Sequence, residues 1–172
     1  MSDNNCVLNT PYPPIKTSCR NLHYAALLSE VFAGQLSEVT AVNQYLFQHF
    51  VSCDQQVGDT MKCVAKVEMH HMDILGELIT QLGGCPKLAA QTGCNCRFWN
   101  GQFLCYDTNP ECFLKNNIAA EKAAIAAYTN LIDRICDDDI RQILERIIKD
   151  EEHHIKLFTE LLEGLSSNNC CR

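Results

Sequence analysis

A chain of 172 residues with a net charge of −7 and a pI near 5.3 is long enough for one domain with a sizeable core. Its acidic balance gives no reason to expect binding to nucleic acid or to an anionic membrane. No apolar run is long enough to span a membrane, and the first residues lack the charged start and apolar core of a secretory signal. We therefore expect a cytoplasmic protein.

Twelve cysteines complicate that expectation. Such a content is typical of small secreted disulfide scaffolds, but long helical segments without a signal argue against that class. The C-x-x-C spacing of rubredoxin-type and zinc-ribbon sites is absent; the closest pairs are Cys94 with Cys96 and Cys170 with Cys171. We expect local disulfides or free thiols rather than a second metal site, and the pairing stays open.

The first half of the chain predicts an arm and two helices. Residues 1–21 hold three of the five prolines and are predicted to form an extended arm on the surface. Helix A is predicted from about residue 22 to 51, with Gly34 marking close packing. Helix B is predicted to begin after Asp54 as N-cap and to end at Gly83-Gly84.

The second half predicts a long connection and two more helices. Residues 85–108 show little periodicity, and their number suits a crossover that runs along a helical bundle. Helix C is predicted to open at Thr108-Asn109-Pro110-Glu111, and the run Cys136-Asp137-Asp138-Asp139 to end it and cap helix D. The bundle then covers residues 22–165, and residues 166–172 are predicted to be a loose tail.

A Glu-x-His-His pattern occurs twice, in the middle of predicted helices B and D. Because residues three apart share a face of a helix, the Glu and the second His of each copy form an inward-facing pair. A lone glutamate stands 30 residues before each copy, on the preceding helix. Four carboxylates and two imidazoles on four helices are the set that a di-metal carboxylate site requires. The six predicted metal ligands are Glu38, Glu68, His71, Glu121, Glu151 and His154.

The two halves of the chain form a repeat with an offset of 83 residues, which places Glu38 on Glu121 and Cys53 on Cys136. A single Glu-x-x-His is usually a solvated helix face, but two copies in register with core positions favour metal binding. One repeat is a helical hairpin, so two hairpins related by a pseudo-two-fold axis bring both ligand sets to one level. Four carboxylates balance two divalent cations, and this ligand set suits iron or manganese.

Three further residues lie near the predicted ligands. Tyr45 and Tyr128 follow the lone glutamates by two turns on the same face, so they either donate hydrogen bonds to ligand carboxylates or are plain core aromatics. Asp150 could hold a ligating imidazole in the correct tautomer, whereas its repeat counterpart Val67 could not.

The ligand pattern resembles that of the ferritin-like superfamily over residues 22–165. Glu38–Tyr45, Glu68–His71 and Asp150–Ile155 are similar to segments of bacterioferritins and rubrerythrins, while residues 12–38 and Ile74–Leu82 resemble small manganese catalases and their spore-coat relatives. The resemblance implies an all-α, ferritin-like four-helix bundle of two hairpins joined by a long cysteine-containing crossover. It also implies that the six residues above hold two iron or two manganese ions per subunit.

In manganese catalases the matching glutamate of the fourth helix is a base near the metals rather than a ligand, so the resemblance implies for Glu151 either metal ligation or a catalytic role as that base. The leading hypothesis is an oxidoreductase that acts on hydrogen peroxide or O₂, as a catalase or as a peroxidase with an external electron donor. One alternative is iron oxidation and storage of the bacterioferritin type. Another is a spore-associated coat protein cross-linked through cysteines. We expect a homo-oligomer, a dimer or larger, with no nucleic-acid or membrane partner.

Overall fold

The computed structural model describes residues 6–92 and 95–169, with the side chains of residues 92 and 166–169 excepted. The described part contains a β-hairpin of β1 (Ala89–Thr92) and antiparallel β2 (Asn95–Phe98), a 3₁₀ turn at Gly101–Phe103, and α-helices. The helices are α1 (Leu22–Ala33), α2 (Glu38–Val51), α3 (Gln55–Gln81), α4 (Pro110–Arg134) and α5 (Asp138–Asn169). Helices α2 to α5 form the predicted four-helix bundle, and the hairpin lies in the crossover.

Most predicted helix boundaries are confirmed by their caps. The Asp54 carboxylate accepts from Val57 N, and the Asn109 side chain accepts from Glu111 N, with Pro110 as first residue of α4. Helix α5 continues to Asn169, beyond the predicted start of the tail at residue 166. The cysteines at 94, 170 and 171, the first five residues of the arm and the last three of the tail lie outside the described residues.

The prediction of one continuous helix A is wrong, because the chain breaks between α1 and α2. The Gly34 N–H donates to the Glu30 carbonyl and ends α1, and the Ser37 side chain accepts from Thr40 N and caps α2. A Cβ at residue 34 would lie 2.4 Å from the Glu30 carbonyl oxygen, so a larger residue would not fit there. As a result Glu38 is the first residue of α2.

Two hydrophobic clusters fill opposite ends of the bundle. One joins α1 to the C-terminal halves of α3 and α4 and the start of α5, through Leu28, Leu75, Leu78, Leu131 and Leu144. The other joins the first halves of α3 and α4 to the C-terminal half of α5, through Met61, Val64, Phe113, Leu114 and Phe158. The middle of the bundle, between the clusters, contains the predicted ligands.

The crossover is fastened to α2. The Trp99 indole N–H donates to Thr40 Oγ1 (2.9 Å), and the Gln44 side-chain amide exchanges two hydrogen bonds with the Cys105 backbone. Since α3 ends in one core cluster and α4 begins in the other, the crossover runs the length of the bundle as predicted. No helix of the described residues is long and apolar enough to cross a lipid bilayer.

The N-terminal arm lies against α3 and α5. A disulfide joins Cys6 to Cys63 of α3, and Ile15 O accepts a hydrogen bond from the Gln81 side chain (3.1 Å). The expectation of local disulfides is wrong for this pair, because the two cysteines are 57 residues apart in sequence. Among the described residues, seven other cysteines are exposed and form no disulfide: Cys19, Cys53, Cys85, Cys96, Cys105, Cys112 and Cys136.

The Cys6–Cys63 bond is expected to stabilise the fold, because it closes a long loop in the unfolded chain. Loop-closure entropy predicts that Cys63→Ser lowers the free energy of unfolding by about 2–4 kcal/mol. Denaturant unfolding of both proteins checks this. Cys19→Ser, which removes an exposed free thiol, is the matched control. An unchanged unfolding midpoint in Cys63→Ser would contradict the expectation.

Candidate metal centre

The structure brings all six predicted ligands together in the middle of the bundle. On α3 and α5 the inward positions alternate steps of three and four residues, so the Glu and the second His of each copy interrupt a stripe of buried apolar side chains. Helices α2 and α4 contribute one glutamate each. All six side chains are buried, with relative exposures of 4% or less: Glu38, Glu68, His71, Glu121, Glu151 and His154.

The ligand atoms form two overlapping groups. One atom from each of Glu38, Glu68, His71 and Glu151 lies within 4.8 Å of the others in the first group. Glu121 and His154 replace Glu38 and His71 in the second group, while Glu68 and Glu151 take part in both. Two adjoining four-residue groups that share two carboxylates have the composition of a dinuclear centre with two bridging and two terminal carboxylates.

Each imidazole points its Nδ1 atom at the carboxylates. His71 Nδ1 lies 3.0 Å from Glu68 Oε2 and 3.2 Å from Glu151 Oε1. His154 Nδ1 lies 3.0 Å from Glu68 Oε1 and 3.0 Å from Glu151 Oε2. The terminal carboxylates stand further off, Glu38 at 3.8 Å from His71 Nδ1 and Glu121 at 3.7 Å from His154 Nδ1. The Nδ1 atoms are therefore the imidazole donors available to metal ions.

The terminal carboxylates prefer to be protonated when no cation is present. Burial, with the neighbouring charge of Glu68, raises the pKa of Glu38 well above its ordinary value. Burial and the charge of Glu151 raise the pKa of Glu121 to about 8. Carboxylates that are crowded together in a dry interior have raised pKa values, and a bound cation would lower those values.

The imidazoles have the opposite preference and keep a shared carboxylate ionised. Burial alone would lower the pKa of His71 and His154, but the charges of Glu151 and Glu68 respectively raise both well above the ordinary value. For Glu68, burial favours protonation, yet His154 and His71 outweigh it and hold its pKa below the usual range. A metal-free centre thus carries protons at neutral pH where a metal centre carries cations.

The six side chains fit a pair of divalent ions. Glu68 Oε1 and Glu151 Oε1 are buried, and within the described part of the chain neither accepts a hydrogen bond, although His154 Nδ1 and His71 Nδ1 stand 3.0 and 3.2 Å from them. A buried carboxylate oxygen without a donor is costly unless a cation contacts it. Oxygen and imidazole donors in this ratio suit iron or manganese.

Both predicted tyrosines contact terminal glutamates, and they do so crosswise. Tyr45 of α2 donates to Glu121 Oε1 of α4 (2.5 Å), and Tyr128 of α4 donates to Glu38 Oε1 of α2. Burial raises the pKa of both phenols well above the ordinary value, with the charge of the bonded glutamate adding to it. The phenols therefore stay protonated and act as hydrogen-bond donors.

Asp150 lies behind His71, and two residues that sequence reasoning missed lie beside it. His71 Nε2 is 3.3 Å from Asp150 Oδ2 and 3.0 Å from the hydroxyl of Tyr12, which belongs to the arm. Arg146 Nη1 is 2.7 Å from Asp150 Oδ2. The only signal for Arg146 was its place four residues before an aspartate on a helix, which surface ion pairs share. Tyr12 gave no positional signal, because an extended arm has no periodicity.

A cavity of about 220 Å³ leads to the centre from the side of α2 and α4. All four ligand carboxylates and both tyrosines line it. The other walls are largely apolar, with Val31, Leu36, Ala41, Phe103, Ala120 and Ala124. The cavity therefore gives a small neutral molecule access to the carboxylates.

Comparison with known proteins finds a matching family model and several similar proteins. A protein-family model described as a ferritin-like domain matches residues 33–167. The chain is 28% identical to a probable manganese catalase of Clostridium acetobutylicum, covering 89% of this chain and 76% of that protein. It is also 28% identical to a bacterioferritin of Desulfovibrio desulfuricans, covering 80% and 74% respectively. Among solved structures, KatB, a manganese catalase from Anabaena PCC7120, matches with a TM-score of 0.84 at 25% identity, covering 92% of this chain and 80% of that one.

Proposed function

The chain belongs to the ferritin-like domain family, and we propose that it is a dinuclear-metal oxidoreductase that consumes hydrogen peroxide. The observation that carries the proposal is the pair of four-residue groups that share Glu68 and Glu151. Such a centre would hold two iron or two manganese ions, with Glu38 and His71 on one ion and Glu121 and His154 on the other. Bound metals of this kind supply and take back the two electrons that peroxide chemistry requires.

The protein's own residues would position the reactants. Tyr45 and Tyr128 hold the two terminal carboxylates by hydrogen bonds. The oxygen of Glu38 that Tyr128 does not bond, Oε2, faces His71 Nδ1, whereas the bonded oxygen of Glu121, Oε1, itself faces His154 Nδ1. Glu151 lines the cavity and has one oxygen without a hydrogen bond in the described chain. We assign it as a shared ligand, and the same carboxylate is placed to accept the proton that peroxide loses.

The cavity supports a small substrate. Its volume of about 220 Å³ admits hydrogen peroxide or O₂, and polar side chains such as Thr40 and Asn117 stand among its apolar walls. Reduction of one peroxide consumes two electrons and two protons and gives two waters. In a catalase, oxidation of a second peroxide to O₂ returns those electrons and protons, whereas in a peroxidase an external donor supplies them.

The test is elemental analysis of the native protein together with peroxide consumption by protein loaded with Mn²⁺ or Fe²⁺. We expect about two ions per chain and activity with at least one metal, with O₂ released only in the catalase case. Protein that binds two ions but consumes no peroxide, with or without a reductant, would overturn the proposed activity. Protein that binds no ion would overturn the metal centre itself.

Iron oxidation is the second candidate, and the bacterioferritin relative is the observation that favours it. The same centre would oxidise Fe²⁺ with O₂ or peroxide as the oxidant, and stored iron would require a closed shell of subunits. Size-exclusion chromatography with light scattering separates the two functions, since a dimer could not enclose a mineral.

Removal of either crosswise hydrogen bond is expected to slow peroxide consumption about 10-fold, because the terminal carboxylate loses its orientation. Tyr45→Phe and Tyr128→Phe each delete one hydroxyl and keep the buried ring. Initial rates of the metal-loaded variants measure the effect. Tyr24→Phe is the control, because it removes a hydroxyl that accepts from Cys136 N outside the centre. If both variants consume peroxide as fast as the unmodified protein does, the two tyrosines are plain core aromatics and do not orient the carboxylates.

A further inference from the structure

The two imidazoles of the centre differ on the side that faces away from the carboxylates. His71 Nε2 lies 3.0 Å from the Tyr12 hydroxyl and 3.3 Å from Asp150 Oδ2. His154 Nε2 is equally buried, but within residues 6–92 and 95–169 it has no hydrogen-bond partner. Each ligand group contains one terminal glutamate, one histidine and the two shared glutamates, so the surroundings of Nε2 distinguish two groups of the same composition.

The repeat explains why the asymmetry is built into the sequence. At the offset of 83 residues, Asp150 corresponds to Val67 and Arg146 corresponds to Cys63. The first half of the chain therefore has an apolar residue where the second half has the carboxylate. Tyr12 has no counterpart at all, because the arm precedes only the first hairpin.

Tyr12 contacts two side chains of α5, Asp150 and Arg146. We call these three residues the Tyr12 brace. The Tyr12 hydroxyl donates to Asp150 Oδ2, and the Arg146 guanidinium lies 4.2 Å from the centre of the Tyr12 ring. Arg146 also donates to Thr10 O (3.0 Å) and Leu8 O (3.1 Å), which fixes the arm on α5. The Arg146 and Asp150 side chains are buried, and Tyr12 is half-buried against them.

The Tyr12 brace favours the tautomer of His71 that can bind a metal ion through Nδ1. An imidazole that coordinates through Nδ1 carries its proton on Nε2, and that N–H needs an acceptor. At His71 the Tyr12 oxygen can accept it while the Tyr12 hydroxyl donates to Asp150. At His154 the same N–H would be buried without an acceptor among the described residues, which disfavours metal binding there.

We infer that the two metal positions are unequal and fill in order, the Glu38–His71 position first, and that Tyr12 is the positioning residue that sets this order. The inference rests on the proposed dinuclear centre. Loss of a hydrogen-bond partner behind a ligating histidine typically weakens metal binding about 10–100-fold, and we expect a difference of that size between the positions.

The first test needs no variant. Crystals of metal-free protein given one equivalent of Mn²⁺ are examined by anomalous diffraction. We expect high occupancy beside His71 and low occupancy beside His154, with both filled at excess Mn²⁺. Equal occupancies, or preferential filling beside His154, would overturn the inference. No bound ion at any Mn²⁺ concentration would instead refute the metal centre, so the two failures are distinguishable.

The second test assigns the order to Tyr12. Calorimetric titration of the unmodified protein with Mn²⁺ is expected to show two separate affinities. Tyr12→Phe keeps the ring beneath Arg146 and removes the hydroxyl, so the tighter affinity should fall about 10-fold while the weaker one is unchanged. Tyr106→Phe, which removes a hydroxyl bonded to Gly101 O in the crossover, is the matched control. Two affinities unchanged in Tyr12→Phe, or lowered equally, would remove Tyr12 from the account.

Discussion

Replacement of Glu68 by glutamine is expected to remove both ions and to lower peroxide consumption by at least about 100-fold. Glu68 belongs to both ligand groups, and its oxygens lie 3.0 Å from the Nδ1 atoms of both His71 and His154. A neutral amide cannot replace a carboxylate that balances two cations, so both positions lose charge and a donor together. Metal content by elemental analysis and initial rates of peroxide consumption measure the two effects.

Two further substitutions make that test specific. Glu38→Gln changes a terminal carboxylate of one group, so we expect it to weaken one ion and leave the other bound. Glu77→Gln changes an exposed glutamate on the same helix as Glu68 and should leave two ions and full activity. A Glu68→Gln protein that still held two ions would contradict the assignment of Glu68 as a shared ligand.

The convergence of the six predicted ligands was predictable from sequence because two independent patterns agree on it. A Glu-x-x-His alone is common on solvated helices, but the repeat fixed the register of α3 against α5 and of α2 against α4. The apolar stripe then oriented the glutamates inward. The prediction of a ferritin-like bundle of two hairpins is confirmed by the helices and by the family match.

Other features could not be predicted from the sequence, because they depend on contacts that no local pattern encodes. The break between α1 and α2 comes from Gly34 and the Ser37 cap. In the sequence alone, the same two residues are also compatible with one long helix. The Cys6–Cys63 pairing and the place of Tyr12 depend on where an extended arm lies across the finished bundle. The position of an irregular segment depends on the folded surface that it packs against, so sequence patterns do not predict it.

Metal loading is expected to raise Tm by about 10–20 °C at neutral pH, and the rise should shrink in acid. Ligand at 100 times Kd stabilises by about 2.7 kcal/mol per site, and each kcal/mol is worth about 2–4 °C in a domain of this size. Metal ions compete with protons for His71, His154, Glu38 and Glu121, whose pKa values are raised in the metal-free centre. Lower pH therefore favours the proton over the metal.

The metal-free protein should respond to pH in the opposite sense. A group whose pKa is raised by folding stabilises the fold below its unfolded pKa, and that contribution is lost as pH rises through the folded pKa. For Glu121 the loss begins near the ordinary pKa of a glutamate and is complete above its folded pKa of about 8. The depressed pKa of Glu68 acts the other way, but only at pH values below the ordinary range of a carboxyl. Raising the pH from about 6 to 8.5 should thus lower the Tm of the metal-free protein.

Thermal unfolding with chelator and with excess Mn²⁺, at several pH values, measures both trends in one series. The gap in Tm should widen with pH, because the metal binds better while the empty centre becomes less stable. Glu68→Gln is the reference, since a centre that binds no metal should show no gap at any pH. A gap of constant size from pH 6 to 8.5 would mean that metal ions displace no protons. The buried carboxylates and imidazoles would then not be the groups that hold the ions.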